Sequence, residues 1–158
     1  MAADSLLRLL APDRPMERLD KLAYLLSCIT QVYTQWAKAK GLNYTTFAIL
    51  YSGYMQEACT QKDICDIWNL SKQAVSTQCN ELMDQGIISL VQNDRNRRQK
   101  ILTLTEKGQA YAGPLIEEIR AAELAALESL GKDLSLQLVI GAERFYTAFA
   151  ENVSRTVR

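Results

Sequence analysis

Thr60-Gln61-Lys62-Asp63-Ile64-Cys65-Asp66-Ile67-Trp68-Asn69-Leu70-Ser71-Lys72-Gln73-Ala74-Val75-Ser76 decides the fold of this chain. It opens with a hydroxyl three residues ahead of a carboxylate, Thr60 and Asp63. At that spacing each side chain reaches the other's backbone N–H and starts a helix, here with Asp in place of the usual Glu or Gln. The helix runs to about Trp68, and Asn69 stands where the chain must reverse. After glycine, Asn tolerates the left-handed backbone best. Ser71 is a good N-cap for a second helix over 72–85, and Gly86 is well placed as its stop. Two short helices joined by a turn of about three residues are a helix-turn-helix.

Working outward, the periodicity changes after Gly86. Ile87-Ile88-Ser89-Leu90-Val91 and Ile101-Leu102-Thr103-Leu104 read as the two strands of a β-hairpin across the polar interval 92–100. Thr105 is then expected to cap a helix whose apolar positions, Leu115, Ile119, Ala122, Ala126 and Leu130, continue past Pro114. A break at Gly131-Lys132-Asp133 leads to a last helix striped by Leu134, Leu138, Ala142, Phe145, Phe149 and Val153. Toward the N-terminus, a short amphipathic turn at 6–10 is closed by Pro12 and Pro15. Leu19, Leu22, Leu25, Leu26, Ile29, Val32, Tyr33 and Trp36 then recur at spacings of three and four, one long helix ending at Gly41. A mostly buried helix over 44–58 carries Phe47, Leu50, Tyr51 and Tyr54 on one side. The fold class is therefore mainly α with a small β-hairpin wing, a winged helix-turn-helix between N- and C-terminal helices. It is expected as a single domain over 1–158, with the winged unit at 44–110 and the flanking helices at 1–41 and 111–158.

Composition narrows the function. A chain of 158 residues that is 48% hydrophobic buries a real core. Lys+Arg and Asp+Glu balance at 18 each, so any affinity for nucleic acid must come from a local patch. The complete absence of histidine removes the commonest neutral-pH acid–base group and metal ligand, along with Ser-His and Cys-His nucleophilic schemes. No catalytic constellation is found, and no enzyme activity or cofactor is expected. Cys28, Cys59, Cys65 and Cys79 form no C-x-x-C pair, so they read as reduced thiols rather than a zinc knuckle or disulfide framework. No signal-peptide pattern or membrane-length apolar run is present, and a cytoplasmic location is expected.

The chemistry concentrates in two places. On the second helix of the motif Val75, Cys79 and Leu82 fall inward, and Lys72, Gln73, Ser76, Thr77 and Asn80 fall outward. Amide, hydroxyl and ammonium groups on one outward face suit the donors and acceptors of the major groove. The hairpin loop, Gln92-Asn93-Asp94-Arg95-Asn96-Arg97-Arg98-Gln99-Lys100, carries four basic residues against the single Asp94 in a chain of zero net charge. Arginines there can enter a narrow minor groove or pair with phosphates, releasing counterions. An isolated basic run is more often a solvated loop. One hairpin after a polar-faced helix, the odds reverse.

With Leu82, Gly86-Ile87-Ile88, Asn96-Arg97-Arg98 and Leu102-Thr103-Leu104-Thr105-Glu106-Lys107-Gly108, the opening stretch resembles the MarR family of bacterial transcription regulators. The specific part is the combination of an L-S-x-x-x-V-S helix start, a basic wing and an L-T-x-x-G strand end. The resemblance implies DNA contacts from Ser71, Lys72, Gln73, Ser76, Thr77, Asn80, Arg95, Arg97 and Arg98. Three positions depart from it. Asn96 replaces the wing Asp that usually orients the following arginine, Gln78 occupies a position that is usually apolar, and Cys65 stands at a small, usually Ala, position.

The apolar stripes of the first and last two helices exceed what the winged unit can cover, which points to a partner chain. The resemblance implies that 44–110 is the DNA-binding region and that 1–41 and 111–158 are the dimerisation helices of a homodimer, intertwined so as to set two recognition helices about one DNA turn apart on an inverted repeat. It also implies a small aromatic ligand between those helices and the winged unit, with Tyr24, Trp36, Tyr51, Tyr54 and Trp68 as lining candidates, although core packing explains each of them equally well. Cys28 is the nearest candidate for an oxidant-sensing thiol, but it has no adjacent cation and reads as structural. The expected function is a dimeric, sequence-specific DNA-binding repressor of double-stranded DNA released by a small ligand. The alternative is a winged-helix protein-interaction module without DNA binding, which would more plausibly carry apolar surface where Lys72, Gln73 and Ser76 stand.

Overall fold

The computed structural model describes residues 14–56, 59–92 and 99–157. The expected turn at 6–10 and the loop tip at 93–98 lie outside them. The described residues divide into two compact units that meet in sequence at Thr105 and Glu106.

The first unit begins with α1 (Pro15–Ala39), entered through Pro15, which suits a first helical turn because no N–H partner is lost there. Next comes α2 (Tyr44–Met55), N-capped by Asn43, whose side chain accepts the Thr46 N–H. This helix stops short of the expected 58 because Gln56 turns to extended geometry and leads into a strand, β1 (Cys59–Thr60). The strand was not expected from sequence, since two residues carry no alternation. It is followed by α3 (Gln61–Trp68) and α4 (Lys72–Asp84), then β2 (Ile88–Gln92) and β3 (Lys100–Leu104). The sheet has the order β1-β3-β2, with both pairings antiparallel. The hairpin register runs from Ile88 opposite Leu104 to Gln92 opposite Lys100, and the Ser89 and Thr103 hydroxyls meet across it at 2.8 Å.

The expected punctuation is present at atomic detail. Asn69 adopts φ 51° and ψ 47°, the only positive φ outside glycine among the described residues, and Leu70 N–H returns to the Cys65 carbonyl at 3.0 Å. Gly86, at φ 69°, ends α4 while Ile87 N–H bonds the Leu82 carbonyl at 2.9 Å, a Schellman closure. Thr105 stands immediately before the next helix, and its hydroxyl donates to the carbonyls of Gly86 and Ile87 at 2.6 and 3.1 Å. It ties the base of the hairpin to the end of α4.

The core of this unit is Phe47, Ala48, Ile49, Leu50, Cys59, Ile64, Val75, Cys79 and Leu102, all fully buried. Trp36, Tyr51 and Trp68 ring Phe47 with centroids 5.4, 5.6 and 5.6 Å away, and Trp68 Nε1 donates to Ser52 Oγ at 2.9 Å. The second unit is α5 (Glu106–Glu128), which continues through Pro114, and α6 (Gly131–Thr156). They are joined by a turn at Ser129 and Leu130, with Gly131 at φ 72° already in the helix rather than in a longer break. No residue of α6 is buried.

A Cβ on Gly53 would stand 2.9 Å from Leu102 Cδ2, so the fully buried Leu102 side chain would have to shift. Gly53→Ala gains about 1 kcal/mol of helix propensity and costs about 1–3 kcal/mol in overpacking. Chemical denaturation is expected to show a net loss of stability; a gain would mean that Leu102 repacks freely.

Candidate nucleic-acid interface

The two helices of the turn are positioned by their caps. Thr60 Oγ1 accepts the Asp63 N–H at 3.2 Å, while Asp63 Oδ2 accepts the Thr60 N–H at 2.9 Å and the Thr60 hydroxyl at 2.7 Å. Those bonds hold the Asp63 carboxyl below its ordinary value. Ser71 Oγ accepts the Ala74 N–H at 3.1 Å and starts α4. On the exposed flank, Lys62 pairs with Asp66 one turn on, which raises the Lys62 pKa.

The two faces of α4 are separated as the spacing required. Val75, Cys79 and Leu82 are buried. Ser71, Lys72, Gln73, Ser76, Thr77 and Asn80 are all exposed. The structure thus brings six of the nine expected DNA contacts onto one side of one helix. Arg95, Arg97 and Arg98 lie outside the described residues, as do Asp94 and Asn96; the described strands bring Gln92 and Lys100 side by side at the two ends of their loop.

Side chains that sequence reasoning did not connect to the α4 face also adjoin it. An open depression of about 490 Å³ is lined by Asn43, Tyr44 and Thr45 from the start of α2 and by Ser71, Gln73, Ala74, Thr77 and Gln78. Asn43 Nδ2 donates to Gln78 Oε1 at 2.8 Å. The anomaly of Gln78 was legible; its partner 35 residues away was not.

The expected ligand-lining residues come together only in part. Trp36, Tyr51 and Trp68 share the ring cluster with Phe47, Tyr33 and Tyr44. Tyr54 is half-buried on α2. Tyr24 is exposed on α1, where a hydrogen bond with Cys28 raises its pKa. Cys59 and Cys79 are buried, and desolvation pushes each thiol up to about 11, so both are poor nucleophiles. Among the described residues no group of His, Cys, Asp or Glu could hold a metal ion, and no helix is long and apolar enough to cross a membrane.

The order of elements and the polar face of α4 define a winged helix-turn-helix protein. The chain belongs to the MarR family of transcriptional regulators, whose sequence pattern matches residues 40–99. It is similar to NMB1585, a MarR family regulator from Neisseria meningitidis, at 32% identity over 88% of this chain and 98% of that one, with a TM-score of 0.77. It is also similar to YwhA of Bacillus subtilis (strain 168), an uncharacterized HTH-type transcriptional regulator, at 36% identity over 78 residues. That match covers 49% of this chain and 56% of YwhA, so the chain spans little more than half of this curated relative. A MarR family transcriptional regulator from Listeria monocytogenes, complexed with a 26mer DNA, shares the fold at 21% identity over 85% of this chain and 89% of that one, with a TM-score of 0.66.

The Asp63 bonds carry a pH dependence whose sign follows from the shift. The carboxyl is depressed in the folded state, so its stabilisation is present above the unfolded value of about 4 and is lost as pH falls through the folded one. Asp63→Asn removes that dependence. Thermal melts are expected to favour the wild type over Asp63→Asn at about pH 7, with the gap narrowing as pH falls below about 4; a gap that widens in acid contradicts the assignment.

Proposed function

We propose that this chain is a homodimeric, sequence-specific DNA-binding regulator that acts as a repressor on an inverted-repeat operator. One observation carries the reading: α4 exposes Lys72, Gln73, Ser76, Thr77 and Asn80 together, with its apolar side chains buried on the opposite face. An exposed helix of amides, hydroxyls and one ammonium offers base edges both donors and acceptors, and it offers a protein partner no apolar anchor. The proposal gives Gln73, Ser76, Thr77 and Asn80 the base edges, and Ser71, Lys72, Arg95, Arg97 and Arg98 the phosphates and minor groove. The regulator from Listeria complexed with DNA supports a nucleic-acid partner for this fold.

Dimerisation is supported by α6, where Leu134, Leu138, Val139, Phe145, Tyr146 and Phe149 are all exposed. Phe145 and Phe149 stack at 5.8 Å and form an apolar surface of the kind that marks a protein interface. We assign that surface to a second copy. Release by a small aromatic ligand is the remaining part of the proposal, supported by the ring cluster in which Trp36, Tyr51 and Trp68 link α1, α2 and α3 through Phe47.

Gln73→Ala is expected to relax preference at one or two base pairs by about 1–3 kcal/mol, and Arg97→Ala to weaken binding to all duplexes and flatten the salt dependence by about one unit of slope. Affinity for a duplex that the wild type selects from a random-sequence pool measures both. If neither substitution changes it, the α4 face serves another partner and the interaction-module reading leads.

Phe145 is 40% exposed, so a charge there leaves the folded chain intact but desolvates a carboxylate at a dimer interface. Sedimentation is expected to show a dimer for the wild type at micromolar concentration and a folded monomer for Phe145→Glu. A wild type sedimenting as 17.8 kDa removes this part of the proposal.

A further inference from the structure

Gln78 sits on α4 at the margin between the buried stripe and the exposed face, half-buried between exposed Thr77 and buried Cys79. A glutamine that only solvated the helix would make no ordered bonds, yet this one makes three. Its Oε1 accepts from Asn43 Nδ2 and from Thr46 Oγ1, and its Nε2 donates to Glu81 Oε2 at 2.8 Å.

These bonds form a chain with one allowed direction. The Thr46 backbone N–H donates to Asn43 Oδ1 at 2.8 Å, because that N–H is an orphan of the first turn of α2. The cap therefore turns Asn43 Nδ2 outward. An amide donor facing Gln78 requires an acceptor there, so Oε1 must point to Asn43, and Nε2 is left to point along α4 to the Glu81 carboxylate. Turning either amide over would set donor against donor. The orientation of Gln78 is thus inherited from the backbone of α2.

The apolar stripe of α4 and its polar bridge to α2 then have different mechanical consequences. Val75, Cys79 and Leu82 fix how deeply α4 seats, but an apolar stripe is non-directional and tolerates rotation of the helix about its own axis. A hydrogen bond weakens steeply once misaligned, so a bridge from the helix margin to a fixed cap resists that rotation. Gln73 and Thr77 line the same depression as Asn43 and Gln78. A small rotation of α4 would move those side chains along any base edges they meet.

We propose that Gln78 is a positioning residue: tethered by the Asn43 cap, it fixes the rotation of α4 and so determines which base edges the exposed side chains read. This rests on the DNA-binding reading above and adds to it a source of sequence discrimination that touches no base.

The test uses the full chain and two probes, a duplex that the wild type selects from a random-sequence pool and a scrambled duplex of equal length and composition. Asn43→Ser keeps a capping oxygen for Thr46 and deletes the bridging amide. Gln78→Leu keeps side-chain volume and deletes the bridge from the other end. Each is expected to lower the ratio of selected to scrambled affinity by about tenfold, with scrambled affinity and salt slope unchanged, and the double variant is expected to fall no further than the stronger single one. If Gln78→Leu fails to fold, as a thermal melt would show, Asn43→Ser carries the test alone. An unchanged ratio, a parallel loss on both duplexes, or two effects that simply add overturns the positioning role while leaving the DNA reading intact. A wild type that selects no sequence from the pool removes both.

Discussion

A helix apolar on all sides has nowhere to sit but inside, and α2 is such a helix. Thr46 through Leu50, Ser52 and Gly53 are buried, so contact is made around nearly the whole circumference. It packs against α1, α3, α4 and β3. Each neighbour docks at a distinct feature: α1 through Trp36 and Tyr33 on Phe47, α3 through Trp68 on Phe47 and Ser52, β3 through Leu102 at the gap left by Gly53, and α4 through Gln78 at Thr46 and Asn43. Both buried polar side chains, Thr46 and Ser52, are bonded, which is what their burial demands. The exposed face of α4 is held in place by this fixed post.

Much of that arrangement was legible because local chemistry dictates it. Asn69, Ser71, Gly86 and the Thr60–Asp63 pair are residues whose backbone preferences or cap bonds act within a few positions, so they can be read from a linear string. The polar face of α4 was legible for the same reason, since period alone sorts its side chains. What sequence hid was set by distance. The strand β1 is two residues long and exists only because β3 offers Cys59 and Thr60 an edge. The early end of α2 comes where Gln56 turns extended, and the partner of Gln78 lies across 35 positions. The five aromatics named as ligand-lining divided by a similar rule: proximity to Phe47 gathered Trp36, Tyr51 and Trp68, and Tyr24 stands apart on an exposed turn of α1.

Charge tells a related story about scale. A chain with 18 cations and 18 anions has no long-range pull on a polyanion, so association with DNA would depend on where the cations are placed. Asp66 engages Lys62 and Glu123 engages Arg120, each within one helical turn. The run from Arg95 to Lys100 contains no acid, so its charge is undiluted in sequence even though the total is zero. Under the proposed DNA-binding function, that run and the exposed Lys72 would supply the sequence-independent part of an interface, and the amides and hydroxyls of α4 the discriminating part.

Under the positioning role proposed for Gln78, a glutamine does what an apolar residue seating the helix as deeply would not. An apolar contact contributes by area and is nearly indifferent to a few degrees of helix rotation, whereas reading bases requires side chains placed to within a fraction of an ångström. A half-buried amide costs little when all its bonds are made, and the cap of α2 supplies one of them at no further ordering cost because Asn43 is already fixed by the Thr46 N–H. Stability alone would be served by leucine at this position. Orientation is served by a group whose bonds have direction, and Gln78 is the one residue on α4 that the described structure ties by its side chain to the capped end of α2, through Asn43 and Thr46, and to Glu81 on its own helix.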